Sequence, residues 1–224
     1  LRYYPVNLDL RDRSVVIIGG GAVAARKAKR LLSAGALLCV VAPRLHERLA
    51  ALAAAGALTH LARSYQPGDL RGALLAFAAT DDPTVNLAVA AEAKELGVLI
   101  DVIDAPQAGA FTTPAVLERG DLLITVSTAG ASPALARRIV AGLEPLFGAE
   151  YAEAVTLLAE IREKLLTEKG RSAYTEQVFA ELAALDLPAM IRNGQRDAIN
   201  QLLLKLSASE TRTGSGGAGK KDPS

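Results

Sequence analysis

Cysteine, histidine and net charge are all scarce in these 224 residues, and each shortage removes a class of function. The single cysteine, Cys39, cannot form an intramolecular disulfide, and its apolar neighbours mark it as a buried, inert thiol. The only two histidines, His46 and His60, do not stand at ligand spacing, so the protein's own side chains are not expected to ligate a metal. His60 reads instead as a strand residue. Lys and Arg number 25 against 24 Asp and Glu, a formal charge of +1, which gives no reason to expect nucleic acid or an anionic membrane as partner. No apolar stretch reaches the length of a membrane span, and the opening LRYYPVNLDLRDR lacks the layout of a secretory signal. Cytoplasm is the expected location. Neither a Gly-x-Ser-x-Gly elbow nor a Walker sequence occurs.

What the chain does have is apolar mass, 50% of its residues, enough to bury a sizeable core and an accessory module. Its most informative stretch is SVVIIGGGAVAARK, from Ser14 to Lys27. Val15, Val16, Ile17 and Ile18 form a continuous apolar run, which suits a parallel strand covered on both faces. Gly19, Gly21 and Ala24 then fill the G-x-G-x-x-G/A pattern of a dinucleotide-binding turn. The first residue permits a tight turn, the second lets a pyrophosphate approach the backbone, and the third lets the helix lie close to the strand. Unpaired N–H groups at the helix start would face the phosphates.

Strand-like and helix-like segments alternate from there: strands at 14–18, 37–42, 58–62, 73–79 and 98–103, helices at 23–33, 45–55 and 83–96. This rhythm predicts an α/β fold, a Rossmann-like, doubly wound parallel sheet. Asp82 and Pro83 are placed to cap and open the third helix. After Phe111 the rhythm breaks at Thr112-Thr113-Pro114, and a further strand is expected over 122–127 in a small α+β module. From Tyr151 the pattern becomes helical, with Tyr151, Val155, Leu158, Ile161 and Leu165 near one face. Tyr174, Val178, Leu182, Ile199, Leu202, Leu203 and Leu206 follow, with helix breaks at Gly170 and Gly194. The last residues, 209–224, hold too few apolar groups to offset ordering entropy and read as a disordered tail or linker.

Four strand ends carry candidate chemistry. Where a ribose-binding acid would follow the second strand, the chain has Ala42-Pro43-Arg44; Arg44 is either a contact for a 2′-phosphate or a solvated side chain. Thr80 ends a strand at the edge where such sheets bind ligands, while Asp81 and Asp82 serve either there or as caps. Asp101 and Asp104 flank the next strand end, in DVIDAP, where a partly desolvated carboxylate can act as a general base beside a nicotinamide. The fourth end, VSTAGASP at 126–133, is either a structural turn or an anion-binding turn, with Arg137 and Arg138 one turn into the helix it opens.

Taken together, the segments Val6 to Arg13, GGGAVAARKAKRLLSAGA, AATDDPTVN and DVIDAPQAGAFTTPAVLERGDLLITVSTAGASPALAR resemble the N-terminal module of siroheme synthases, the family that includes stand-alone precorrin-2 dehydrogenases (sirohydrochlorin ferrochelatases). The resemblance runs to about Ala208. It implies NAD-dependent oxidation of precorrin-2, a tetrapyrrole, to sirohydrochlorin, with ferrous iron as a substrate where siroheme is also made. It implies a homodimer whose contacts come from the region after Phe111. The implied organisation is an NAD-binding domain over 1–113, a dimerisation and substrate module over 114–150, a helical module over 151–208 and the tail.

Carried over by position, the family's catalytic aspartate falls on Asp104 and its cofactor contacts on Ala22, Val23, Pro43 and Arg44, beside Gly19, Gly21, Ala24 and Thr80. The missing ribose-binding acid does not count against NAD, because family members can lack it. A serine phosphorylated in some members corresponds to Thr128. Because precorrin-2 carries many carboxylates, Arg119, Arg137 and Arg138 are expected to receive it together with Thr128. The family's methyltransferase module is not in this sequence. Two other readings stay open: an NAD-sensing module without catalysis, and a ferrochelatase without dehydrogenase activity.

Overall fold

The computed structural model describes residues 2–168, 184–199 and 201. Its contacts divide the chain into two compact units, one formed by residues 1–114 with the turn Ser127–Ser132, the other by Ala115–Val126 with the chain from Pro133 onward.

The first unit is a five-stranded, wholly parallel sheet. Its elements are β1 (Ser14–Ile18), α1 (Ala22–Ser33), β2 (Leu37–Val41), α2 (Glu47–Ala54), β3 (Thr59–Leu61), β4 (Leu75–Ala78), α3 (Pro83–Leu96) and β5 (Leu99–Val102). The strand order is β3-β2-β1-β4-β5, so the winding reverses between β1 and β4. That reversal opens a crevice at the strand C-termini, where doubly wound sheets take their ligands.

The apolar run of β1 is explained by its position. Val15 and Ile17 pack into one core with Ala24, Ala28 and Leu31 of α1 and Leu49 of α2. Val16 and Ile18 pack into the other, with Val89, Ala90 and Ala93 of α3. Each of these strand side chains is at most 4% exposed, and each such burial stabilises by about 1.5–3 kcal/mol. Helix α3 begins as its sequence predicts: the Asp82 carboxylate accepts from Thr84 N at 2.8 Å and Pro83 fills the first position. It ends at Gly97, whose φ of +69° suits a left-handed cap.

No helix links β3 to β4; residues 62–74 cross as an irregular segment held by side chains. Arg63 forks onto Asp69 at 2.8 and 2.6 Å. Glu92 of α3 accepts from Gly68 N at 2.8 Å and from the Tyr65 hydroxyl.

The second unit contains a hairpin that the sequence reading only half anticipated. Besides β7 (Leu122–Val126), residues Ala115–Arg119 form a strand, β6, antiparallel to it. Gly120 turns the hairpin at φ +57°. Helices α4 (Pro133–Leu143), α5 (Glu150–Glu168) and α6 (Leu187–Arg192) follow. Ala154 of α5, Leu187 of α6 and Ile199 form a small core, with Leu157, Leu158, Met190 and Ile191 packed around it. Gly194 adopts φ +69° just past α6, which fits the expected helix break. The expected modules at 114–150 and 151–208 thus fall largely in one unit. Gly170, Tyr174, Val178, Leu182, Leu202, Leu203, Leu206, the tail 209–224 and the side chain of Leu165 lie outside the described residues.

Candidate active site

The glycine turn sits at the reversal point, and its three glycines have three different jobs. Gly19 adopts φ +119°, and a Cβ there would lie 2.3 Å from the Ala79 carbonyl oxygen, which follows β4. Gly20, which the fingerprint leaves unspecified, is also confined: a Cβ would meet the Arg44 carbonyl oxygen at 2.1 Å. Its own carbonyl accepts from His46 N at 2.7 Å. A Cβ on Gly21 meets nothing within 4 Å, so this residue leaves open space beside exposed backbone. Helix α1 starts there with no side-chain cap and no acidic residue in its first turn. A bare, uncapped helix start behind two tightly packed glycines fits a dinucleotide pyrophosphate.

Around this turn the structure gathers most of the expected cofactor residues. Ala22 is exposed, Val23 half-buried, and Ala24 is fully buried, as close packing of α1 on the sheet requires. Pro43 and Arg44 are exposed after β2, and Thr80 N lies 3.0 Å from the position of a Gly19 Cβ.

Asp104 lies beyond β5 on the same sheet edge and is exposed. Its Oδ1 accepts from Asn86 Nδ2 at 2.9 Å. The same Asn86 amide accepts from Thr80 Oγ1 at 2.7 Å and donates to the Thr80 carbonyl at 3.1 Å. The two strand ends that sequence reasoning considered separately therefore meet through one side chain. Sequence reasoning missed that residue. The available signal was its place on the face Asn86, Val89, Ala90, Ala93, an amide on the otherwise apolar buried stripe of α3.

The structure also separates the two DVIDAP carboxylates. Asp101 is 6% exposed and its Oδ2 accepts from Lys27 Nζ at 2.8 Å and Thr113 Oγ1 at 3.0 Å. Lys27 in turn stands 4.5 Å from the centre of the Phe77 ring, which packs edge-on against Phe111. Asp101 is thus a structural partner, while Asp104 stays accessible.

The turn Ser127–Ser132 is built by its own hydroxyls: Ser127 Oγ accepts from Ala129 N at 3.2 Å and Thr128 Oγ1 from Ser132 N at 3.1 Å. Ala129 and Gly130 take φ +53° and +88°. In the second unit Arg137 and Arg138 are exposed on α4, whose Ala136 and Val140 are buried. Arg119 differs from them. Its Nε donates to the Phe147 carbonyl at 2.7 Å and one Nη to that of Glu118 at 2.8 Å, so much of its guanidinium ties the hairpin to the segment before α5.

The histidines are structural as well. His60 on β3 bonds the Ala42 carbonyl at 2.9 Å, and His46 caps α2 by accepting from Arg48 N at 3.3 Å. Cys39 is half-buried, and burial pushes its thiol above the ordinary range. Among the described residues no group of three or more His, Cys, Asp or Glu side chains could hold a metal, and no helix is long and apolar enough to cross a membrane.

Comparison with known proteins agrees with this geometry. The family model NAD_binding_7, described as "Putative NAD(P)-binding", matches residues 6–115. The chain is 37% identical over 203 residues to a siroheme synthase of Methylobacillus flagellatus, covering 89% of this chain and 44% of that protein. It is 44% identical over 163 residues to a siroheme synthase of Chromobacterium violaceum, covering 73% and 35%. The chain therefore spans less than half the length of these relatives. Among solved structures it resembles SirC, precorrin-2 dehydrogenase, with a TM-score of 0.72 and 28% identity over 91% of this chain and 100% of that one. An NAD(P)-binding sheet with its glycine turn at the reversal point, and matches along nearly the whole chain, place it in one family: it belongs with the N-terminal module of siroheme synthases and precorrin-2 dehydrogenase.

Proposed function

We propose that this chain oxidises precorrin-2 to sirohydrochlorin with NAD. The observation that carries the reading is the exposed Asp104 carboxylate, hydrogen-bonded through Asn86 to the Thr80 turn beside the Gly19 to Gly21 backbone. The oxidation removes a hydride and a proton from the tetrapyrrole, and NAD when bound supplies the hydride acceptor. Gly21, Ala22 and Val23 would hold the dinucleotide from the start of α1, with Pro43, Arg44 and Thr80 flanking it. Asp104 would take the proton, since it is reachable and has one oxygen already fixed.

Arg137 and Arg138, exposed on α4, would receive substrate carboxylates by charge-assisted contacts. Thr128 and Arg119 would act by shaping the turn and hairpin they already bond. Ferrous iron would be a second substrate: the macrocycle supplies four ring nitrogens, and the protein need only position it and accept pyrrole protons. The chain would work as a homodimer through its second unit.

Anaerobic absorbance of the protein with precorrin-2 and NAD, then ferrous iron, tests this in wild type and Asp104→Ala. NADH formation that the substitution abolishes is expected, and a siroheme spectrum after iron would add chelation. Absence of NADH from folded, NAD-binding wild-type protein would overturn the dehydrogenase reading. Tighter binding of NADP than of NAD would instead give Arg44 a 2′-phosphate.

A further inference from the structure

Asn86 is 1% exposed, one of two polar residues buried in the described part of the chain, and none of its hydrogen-bonding capacity is wasted. Its Oδ1 accepts from Thr80 N at 3.2 Å and Thr80 Oγ1 at 2.7 Å, while its Nδ2 donates to Thr80 O at 3.1 Å and Asp104 Oδ1 at 2.9 Å. The amide orientation is unambiguous. Turned over, it would set Nδ2 against the Thr80 N–H and Oδ1 against both a carbonyl and a carboxylate.

We propose that Asn86 is a positioning residue that fixes Asp104 Oδ1 and the Thr80 turn as one unit, so that the proton-accepting oxygen keeps its place beside the cofactor edge. This rests on Asp104 being the proton acceptor. Three features carry it. Asp104 follows β5 in a bend and is exposed, so nothing from burial holds its side chain. Its Oδ2 has no protein partner among the described residues, which leaves Asn86 to decide which oxygen turns outward. The amide also stands where apolar packing would serve the fold alone, on a face shared with Val89, Ala90 and Ala93. A fully bonded buried amide that ends on an exposed carboxylate is placed to orient it.

Among the described residues the nearby carboxylates form no hydrogen bond with this pairing. Asp82 caps α3 through Thr84 N and Val85 N, Asp101 is paired with Lys27, and Asp81 is exposed at the surface.

Asn86→Asp keeps the acceptor for Thr80 N–H and replaces the donor to Asp104 with a second carboxylate oxygen. Its kcat for precorrin-2 oxidation should fall about 10- to 100-fold, the scale of losing orientation at the reacting group. The Kd for NAD should stay within about twofold, because the substituted side chain still accepts from Thr80 N and so keeps that turn, while the pyrophosphate contacts lie at the start of α1. The acid limb of the kcat/KM profile should move up by about one pH unit or more, as expected when two carboxylates share a site. In an Asp104→Asn background the same substitution should lower turnover no further. An unmoved kcat and pH profile, or an equal loss of NAD binding, would overturn the inference.

Should Asn86→Asp not fold, Asn86→Ser is measured in its place. A fall in kcat at an unchanged NAD Kd then supports the role, and an unchanged kcat removes it. Loss of folding in both assigns Asn86 to the fold alone and also overturns the inference. Failure of the underlying reading looks different: Asp104→Ala would then turn over like wild type.

Discussion

Lys27 and Asp101 are 74 residues apart in the chain, yet Lys27 Nζ lies 2.8 Å from Asp101 Oδ2 with both side chains nearly buried, at 12% and 8% exposure. The pair ties α1, which starts at the glycine turn, to β5, which ends just before Asp104. The Phe77 ring and the Thr113 hydroxyl complete the surroundings of the ammonium. Removing one partner of a buried pair leaves the other as an uncompensated charge, which is worse than removing both. Asp101→Ala is therefore expected to destabilise by about 3 kcal/mol, measured by urea unfolding, and the double variant Lys27→Met with Asp101→Ala by clearly less. Equal losses in the single and double variants would refute the coupling.

The glycine turn predicts opposite outcomes for adjacent substitutions. Gly20→Ala puts a methyl group 2.1 Å from a backbone oxygen, so the segment after β2 must shift. Gly21→Ala puts it in open space, so folding should be unaffected. If that space receives the pyrophosphate, Gly21→Ala should weaken NAD binding about tenfold or more with an unchanged melting temperature. Gly20→Ala should lower the melting temperature itself. Equilibrium binding of NAD beside thermal unfolding separates the two, and unchanged affinity in Gly21→Ala would move the cofactor elsewhere.

How far these features could be read from the chain depends on how local their causes are. Strand β1 is legible because both of its faces are buried, which calls for a continuous apolar run that a half-exposed strand does not need. Helix α3 is legible because Asp82, Pro83 and Gly97 mark its ends by their own chemistry. Strand β6 is not: Leu117 alone is buried in AVLER, and the strand exists through its pairing with β7. At the site, the place of Asp104 just after a strand was legible from the alternation of segments. Its separation from Asp101 was not, because that depends on Lys27, distant in sequence. Asn86 and Lys27 share one signal, a polar residue on a helix face otherwise packed with alanine, valine or leucine.

The exposed arginines of α4 give a substrate-specific test. Arg137→Gln and Arg138→Gln remove charge without touching the buried Ala136 and Val140 face. Each should raise the KM for precorrin-2 about 5- to 30-fold, equivalent to about 1–2 kcal/mol, while the Kd for NAD stays constant. Steady-state kinetics at saturating NAD, with separate NAD titrations, reads both. A matched loss of both affinities would remove the arginines from substrate recognition.

The segment between β3 and β4 sets a pH dependence that has nothing to do with catalysis. The Arg63 guanidinium bonded to Asp69 holds its carboxyl below the ordinary value of 3.8, with the Gln66 N–H adding to this against the opposing effect of burial. Because the folded value is depressed, the stabilisation is complete above the unfolded value and disappears as pH falls through the folded one. Asp69→Asn should thus cost about 1–2 kcal/mol at pH 7, discounted because Arg63 is 37% exposed, and almost nothing at the acid end of the titration. Tyr65 acts with the opposite sign. Burial first, then its bond to Glu92, raises its hydroxyl above the ordinary value of 10, so its contribution is complete below that value and declines as pH rises beyond it. Thermal unfolding from pH 2 to pH 11 should therefore show the wild-type advantage over Asp69→Asn vanishing on the acid side and that over Tyr65→Phe shrinking only on the alkaline side. Parallel curves for either variant would mean that its charged partner does not set the stability of this crossover.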